Sequence, residues 1–177
     1  KPKRMPHVLG TEQEAALLAK KYGADVTAAR IAALLHDCTK KLDLPQQLSL
    51  CRHYAIPLDE MERNYLKLLH SKTGAAVARD RFGVSDEIYN AIFYHTTGKA
   101  DMTLLEKIIY LADYIEPSRS FPGVEELRTA VHEDLDRGLC RALADSIVEL
   151  QGYGSPVYPN TQEALSYIQR EIGGTIE

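Results

Sequence analysis

The chain has 177 residues, 45% of them hydrophobic and 26% charged, with a formal net charge of −4. That length suits one domain with a real core, and the charge argues against a general binder of nucleic acid or of anionic membranes, so an anionic substrate has to be met by a few local cations. The three cysteines, Cys38, Cys51 and Cys140, form no CxxC pair, which argues against a disulfide framework or a zinc knuckle and fits a reducing cytoplasm.

Apolar residues recur at spacings of three and four almost everywhere, the mark of helices. "TEQEAALLAKKYG" predicts a helix with Thr11 as N-cap, Glu14 completing a capping box and Gly23 as its stop. His7 precedes it, and Pro6, which lacks an N–H, puts the start of helical structure near that point. "DVTAARIAALLHD" is a second helix and "PQQLSLCRHYA" a third, with Pro45 in its first turn. "MERNYLKLLHSKTGAAVARDRFG" holds one or two helices ending at Gly83. "SDEIYNAIFYHTTG" opens on a Ser85 or Asp86 cap and stops at Gly98. "MTLLEKIIYLADYIEP" ends at Pro117, and "PGVEELRTAVHE" and "DLDRGLCRALADSIVELQG" add two more helices. "QGYGSPVYPNT" reads as a loop, and "TQEALSYIQREIGG" is a closing helix capped by Asn160 or Thr161. No window alternates with period two. No apolar run approaches the roughly 20 residues of a membrane span. No signal peptide is visible, and the chain opens at Lys1 without Met, so its natural start is expected upstream. The prediction is an all-α single domain over 1–177, built of about eight to ten helices.

The stretch "ARIAALLHDCTK" runs an apolar helix into His36 and Asp37. Neighbours on a helix point about 100° apart, yet at a loosened helix end both reach one ion, and a mixed nitrogen and oxygen set suits iron, manganese or zinc. The plain alternative is a buried structural histidine beside a hydrogen-bonding aspartate. The wider pattern favours the first reading. His7, His70, His95 and Asp113 also lie at the ends or inside of hydrophobic helices, and an aspartate inside "IIYLADYIEP" is costly to bury unless paired or bound to metal. His53 and His132 have no such setting and read as surface residues. Lys99, Lys107 and Arg128 read as solvated helix charges.

The order His7, His36-Asp37, Asp113 resembles the HD superfamily of metal-dependent phosphohydrolases. Within it, "RMPHVLG", "LLHDCTK", "LLHSKTGA", "YHTTG", "LLEKIIYLADYIEPSRSFPGVEELR" and "DLDRGL" together resemble the bacterial symmetrical diadenosine tetraphosphate hydrolases, the YqeK-like HD proteins. The resemblance runs from about Arg4 to Thr161 and implies an HD-domain helical bundle that cleaves diadenosine tetraphosphate into two ADP. It implies His7, His36, Asp37 and Asp113 as ligands of one divalent ion, iron first, with manganese, cobalt or zinc as alternatives. Arg4, Lys40, His70, His95 and Arg119 then surround the phosphates, with Asp37, Lys40, His70 and His95 in the chemistry. His70 and His95 have two readings, as phosphate contacts or as ligands of a second ion. The segment Pro156, Val157, Tyr158, Pro159, Asn160 and Thr161 is implied to lie near base and sugar. A homodimer is a further implication of the family likeness, and neither nucleic acid nor membrane is an expected partner. Two alternatives stay open: an HD hydrolase of another nucleotide, and a metal- and nucleotide-binding sensor without turnover.

Overall fold

The computed structural model describes residues 4–173. Its architecture follows from one helix that water hardly touches. In α7 (Leu104–Ile115) the side chains of Leu105, Ile108, Ile109, Leu111, Ala112 and Ile115 are all but fully buried, and each Leu or Ile contributes roughly 1.5–3 kcal/mol by leaving water. Thr103 and Glu106 close a capping box at its start. Around it pack α1 (Met5–Tyr22), α2 (Val26–Leu35), α6 (Asp86–Phe93), α8 (Val124–Glu133) and α9 (Leu135–Gly152). Alanines carry the α1–α2 seam: Ala15, Ala19, Ala29, Ala32 and Ala33 have no exposed surface, so the two backbones approach closely. Outside this layer, α3 (Leu44–His53) and α4 (Glu60–Asn64) lie on α5 (Leu66–Phe82), and α10 (Pro159–Gly173) lies on α9. The described residues thus form ten helices and no strand, within the predicted number.

Three boundaries differ from the sequence reading. The first helix begins at Met5, so His7 sits in its first turn rather than before it. Thr11 is no cap: its hydroxyl donates to the His7 carbonyl at 2.8 Å inside the helix. Glu14 is buried and meets His132 instead of closing a capping box. Pro6 explains the early start, because a first-turn proline has no N–H to leave unpaired. Helix α6 ends at Phe93, so Tyr94 to Thr97 turn before Gly98, which takes φ +66°. Helix α10 starts at Pro159, ahead of the expected caps Asn160 and Thr161. Gly23 does end α1 as predicted: at φ +82° its N–H donates to the Ala19 carbonyl.

Candidate metal centre

His36 is the C-cap of α2 and the chain then leaves the helix in a run of turns, so His36 and Asp37 stand at a helix C-terminus, whose exposed carbonyls favour a cation. A buried network clamps that turn to α5. The Thr39 hydroxyl donates to the His70 carbonyl at 2.9 Å, and Gln47 Nε2 donates to the Thr39 carbonyl at 2.8 Å. Thr73 links both through Thr39 Oγ1 and Gln47 Oε1. A Cβ at Gly74 would stand 3.3 Å from the His36 carbonyl, so a side chain there would push the turn outward.

Four parts of the chain meet at this point. His7 Nε2 lies 3.2 Å from Asp113 Oδ1 and 3.5 Å from Asp37 Oδ2; His36 Nε2 lies 3.6 Å and 3.5 Å from the same two atoms. On the other side of Asp37, Oδ1 faces His70 Nε2 at 3.3 Å and His95 Nε2 at 3.6 Å. Asp37 therefore presents one oxygen to each of two groups: His7, His36 and Asp113, and the His70–His95 pair, whose Nε2 atoms are 3.2 Å apart.

The imidazoles are oriented from behind. His7 Nδ1–H donates to Glu116 Oε1 at 3.0 Å, and the Nδ1–H groups of His36 and His95 donate to the carbonyls of Ala33 and Ile92, each at 2.6 Å. A carboxylate or carbonyl only accepts, so these bonds keep a proton on Nδ1 and turn Nε2 inward, the nitrogen that offers its lone pair once the ring is neutral, as metal-binding histidines require. His7 Nε2, His36 Nε2 and Asp37 Oδ1 are buried without a hydrogen-bond partner. Orphaned polar atoms are expensive in a protein interior; the two imidazole nitrogens face Asp113 and Asp37 Oδ2 and fit a divalent cation there, while Asp37 Oδ1 faces the neighbouring His70–His95 pair. The ligand atoms of His7, His36 and Asp113, and those of His36, Asp37 and His95, each lie within 4.8 Å of one another.

The charges agree. The His7 pKa is raised to about 9 by Asp113 first and Asp37 next, against burial. Burial works to lower that of His36, yet Asp113 and Asp37 outweigh it and hold it at about 10. Burial would lift the two carboxyls, but the facing imidazoles hold both well below the usual carboxylate range. His95 is the exception: burial drives it down to about 4, so it stays neutral. With its proton on Nδ1, its Nε2 accepts from His70 Nε2–H.

Every expected cation is present. Arg4 pairs with Asp37 Oδ2, and Lys40 Nζ reaches the same oxygen at 3.0 Å. Arg119 donates to the Asp113 carboxylate at 2.8 Å and to its carbonyl at 2.9 Å. A cavity of about 790 Å³ opens from the cluster, with Lys40, Lys67, His70, His95, Asp113 and Arg119 on its wall. The segment 156–161 does not line it. Tyr158 is drawn to α4 instead, its hydroxyl lying 2.8 Å from Asp59 Oδ2 and 2.9 Å from Glu62 Oε1 and sharing its one hydrogen between them. The Thr161 hydroxyl donates to the Thr97 carbonyl. Tyr158 and Asn160 border a smaller cavity of about 250 Å³ with Thr97 and with Ser71 and Tyr94, the chain neighbours of His70 and His95.

Sequence reasoning missed the supports. Glu116 is fully buried; besides His7 it accepts from the Ser118 N–H at 2.7 Å and hydroxyl at 2.6 Å. Nothing in "YIEPSR" marks it except its place before a proline. Arg128 is no solvated charge: its guanidinium donates to the carbonyls of Ile115, Glu116 and Arg119 and so caps α7 and holds the turn that carries Arg119. Lys99 and Lys107 also have partners, Glu106 at 3.3 Å and Asp136 at 2.7 Å. His132 is not a lone surface residue, since its Nε2 lies 2.6 Å from Glu14, whereas His53 is exposed as predicted.

Residues 4–118 match the HD domain, a span that begins and ends around this cluster. The chain belongs to the HD domain family. Among similar proteins of this family, one from Halalkalibacterium halodurans, named a symmetrical bis(5'-nucleosyl)-tetraphosphatase, is 42% identical over 89% of this chain and 84% of its own length. A Bacillus subtilis protein of the same name is 40% identical over 89% of this chain and 85% of its own. A crystal structure from Clostridium acetobutylicum, described as an HD superfamily hydrolase involved in NAD metabolism, superposes with a TM-score of 0.92. It is 40% identical, covering 96% of this chain and 90% of that one. The all-α single-domain fold of about eight to ten helices is thus the HD fold. Among the described residues no helix is long and apolar enough to cross a membrane.

Proposed function

We propose that the protein is a metal-dependent hydrolase that cuts diadenosine tetraphosphate at its central anhydride, giving two ADP. The observation that carries this reading is the set of orphaned ligand atoms around Asp37, ringed by three phosphate-sized cations. The names of the whole-length relatives support it. His7, His36, Asp37 and Asp113 would hold the ion, iron by preference. Two nitrogens and two carboxylates neutralise a divalent charge and suit iron, manganese, cobalt or zinc.

Such an ion supplies Lewis acidity, which lowers the pKa of water and draws charge from a phosphoryl oxygen. The chain's own groups do the rest. Asp37 is strongly held as an anion, which makes it a poor base by itself, so its part is to orient the attacking water through Oδ1 and to accept the proton only once that water is acidified. Lys40, Arg119 and Arg4 offset the charge that gathers on the phosphates as the bond breaks. Arg does so with two parallel donors. His70 Nε2–H donates to a phosphate oxygen when it turns from His95, which stays neutral and keeps Nε2 as an acceptor. The segment 156–161 flanks one nucleoside through the smaller cavity that Tyr158 and Asn160 border. The whole of 1–177 acts as one unit, since α9 supplies cavity wall beyond the matched span. Three free cysteines fit a cytoplasmic setting.

A two-ion reading has its own support: Asp37 offers Oδ1 to His70 and His95 while Oδ2 serves the first group, as a bridging carboxylate does. Metal counted per chain separates the two. The activity is tested by incubating anaerobically purified protein with the dinucleotide and Fe²⁺ or Mn²⁺. ADP as sole product, abolished by chelator, is expected. AMP with ATP, or tight ADP binding without turnover under any metal, rejects the proposal in favour of another specificity or of a sensor.

A further inference from the structure

The far wall of the large cavity carries aromatic side chains that the proposed chemistry does not use. Tyr114, next to Asp113 on α7, meets Phe121 edge to face, with ring centroids 5.5 Å apart and planes at 71°. Tyr110, one turn earlier on α7, lines the same cavity with its ring parallel to that of Tyr114, centroids 6.3 Å apart and planes 8° apart, and is itself buried in the core. Tyr153, the C-cap of α9, stands on the rim of the same cavity with 78% of its surface exposed, its ring open to a planar partner.

Charge divides the cavity. Lys40, Lys67 and Arg119 lie at the cluster end, whereas Asp145 and Glu149 project from α9 on the aromatic side, where Arg141 is offset by Asp145 at 3.7 Å. Phosphates are drawn to the first end and repelled from the second. An uncharged ring with N–H donors on its edge suits the second, because it stacks on the aromatic faces and meets carboxylate acceptors. A volume of about 790 Å³ is ample for a nucleotide. A substrate cut at its middle anhydride extends a nucleoside to either side of the reacting phosphates, and the segment 156–161, proposed above for one side, does not line this cavity. Phe121, Asp145, Glu149 and Tyr153 lie beyond residue 118, where the HD match ends, and Tyr114 lies within it.

We propose that Tyr114, Phe121 and Tyr153 form the seat of a nucleobase, the second of the two that a symmetrical dinucleoside tetraphosphate carries; this rests on the activity proposed above. The test measures initial rates with diadenosine tetraphosphate for the Mn²⁺-loaded full chain, Tyr153→Ala and Phe121→Leu, with metal content assayed in each. Tyr153→Ala removes an exposed ring and raises KM about tenfold, the loss typical of one base stack, with kcat within about twofold and metal content unchanged. Unchanged KM in both variants overturns the seat, and so does a loss of metal alongside activity, which would make the wall a structural support. If the unaltered protein releases no ADP at all, the activity fails and calorimetry decides the seat. Weaker binding of ADP but not of pyrophosphate in Tyr153→Ala upholds it, and equal binding of both overturns it.

Discussion

Replacing Glu116 with Gln tests how far the ion depends on a residue that never touches it. The buried carboxylate accepts three hydrogen bonds, from His7 Nδ1–H at 3.0 Å and from the N–H and hydroxyl of Ser118 at 2.7 and 2.6 Å. A glutamine keeps one carbonyl oxygen and turns an NH₂ toward the remaining donors. Either His7 or Ser118 then loses a charge-assisted bond, worth about 1.5–3 kcal/mol. Released from Glu116, the His7 ring is free to rotate or to move its proton to Nε2, the atom proposed to hold the ion. At 1.4 kcal/mol per factor of ten, metal affinity falls by about ten- to a hundredfold, in line with other partners of metal-binding histidines. Competition between the protein and a chromophoric chelator for Mn²⁺ measures it, and circular dichroism checks that the helices persist. An affinity within twofold of the parent, in a folded variant, refutes the claim that Glu116 positions His7.

Asp37→Ala removes the carboxylate common to both ligand groups, so metal content and turnover are expected to vanish while helical content persists; near-normal turnover rejects the site. Metal loading is also expected to displace protons. With His7 at about 9 and His36 at about 10, both rings are charged at pH 7 in the metal-free protein and must be neutral to bind, so one to two protons leave per ion, read by calorimetry in buffers of different ionisation heat. Those raised values also set a stability slope. Their contribution is complete below pH 6.5 and is lost as pH rises through about 9 and 10, so the chelated protein should melt at lower temperature at pH 10 than at pH 7. A flat profile contradicts this. Gly138→Ala puts a Cβ 2.6 Å from Val131 Cα, where α8 and α9 cross, and is expected to cost about 1–3 kcal/mol in denaturant melts despite the better helix propensity of alanine. A gain in stability shows that the crossing relaxes.

The helices were legible because their signals are local. Apolar spacing set α7, and Ser85, Gly23 and Gly83 marked ends that the structure keeps. Thr11 misled because "T-x-x-E" is written the same way inside a helix as at its start, and only the room around Pro6 decides between them. The cluster itself was legible through its misplacement: His36, Asp37 and Asp113 interrupt hydrophobic runs, and such an interruption needs a partner. Its supports were not, because Glu116 and Arg128 are ordinary charged residues whose burial depends on how α7, α8 and the turn between them come together. The segment 156–161 shows the same limit from the other side. Aromatic and proline residues in a loop suggest a ligand, yet Tyr158 is taken up by Asp59 and Glu62, nearly a hundred positions earlier in the chain.

All of this depends on one ion gathered from four distant segments. Crystals of the anaerobically purified protein, measured at the absorption edge of iron and then of manganese, locate it directly. The expected result is an anomalous peak about 2.0–2.2 Å from His7 Nε2 and His36 Nε2 and within bonding reach of Asp37 and Asp113. Full occupancy at any other place, with these four side chains still facing one another and bare, contradicts it.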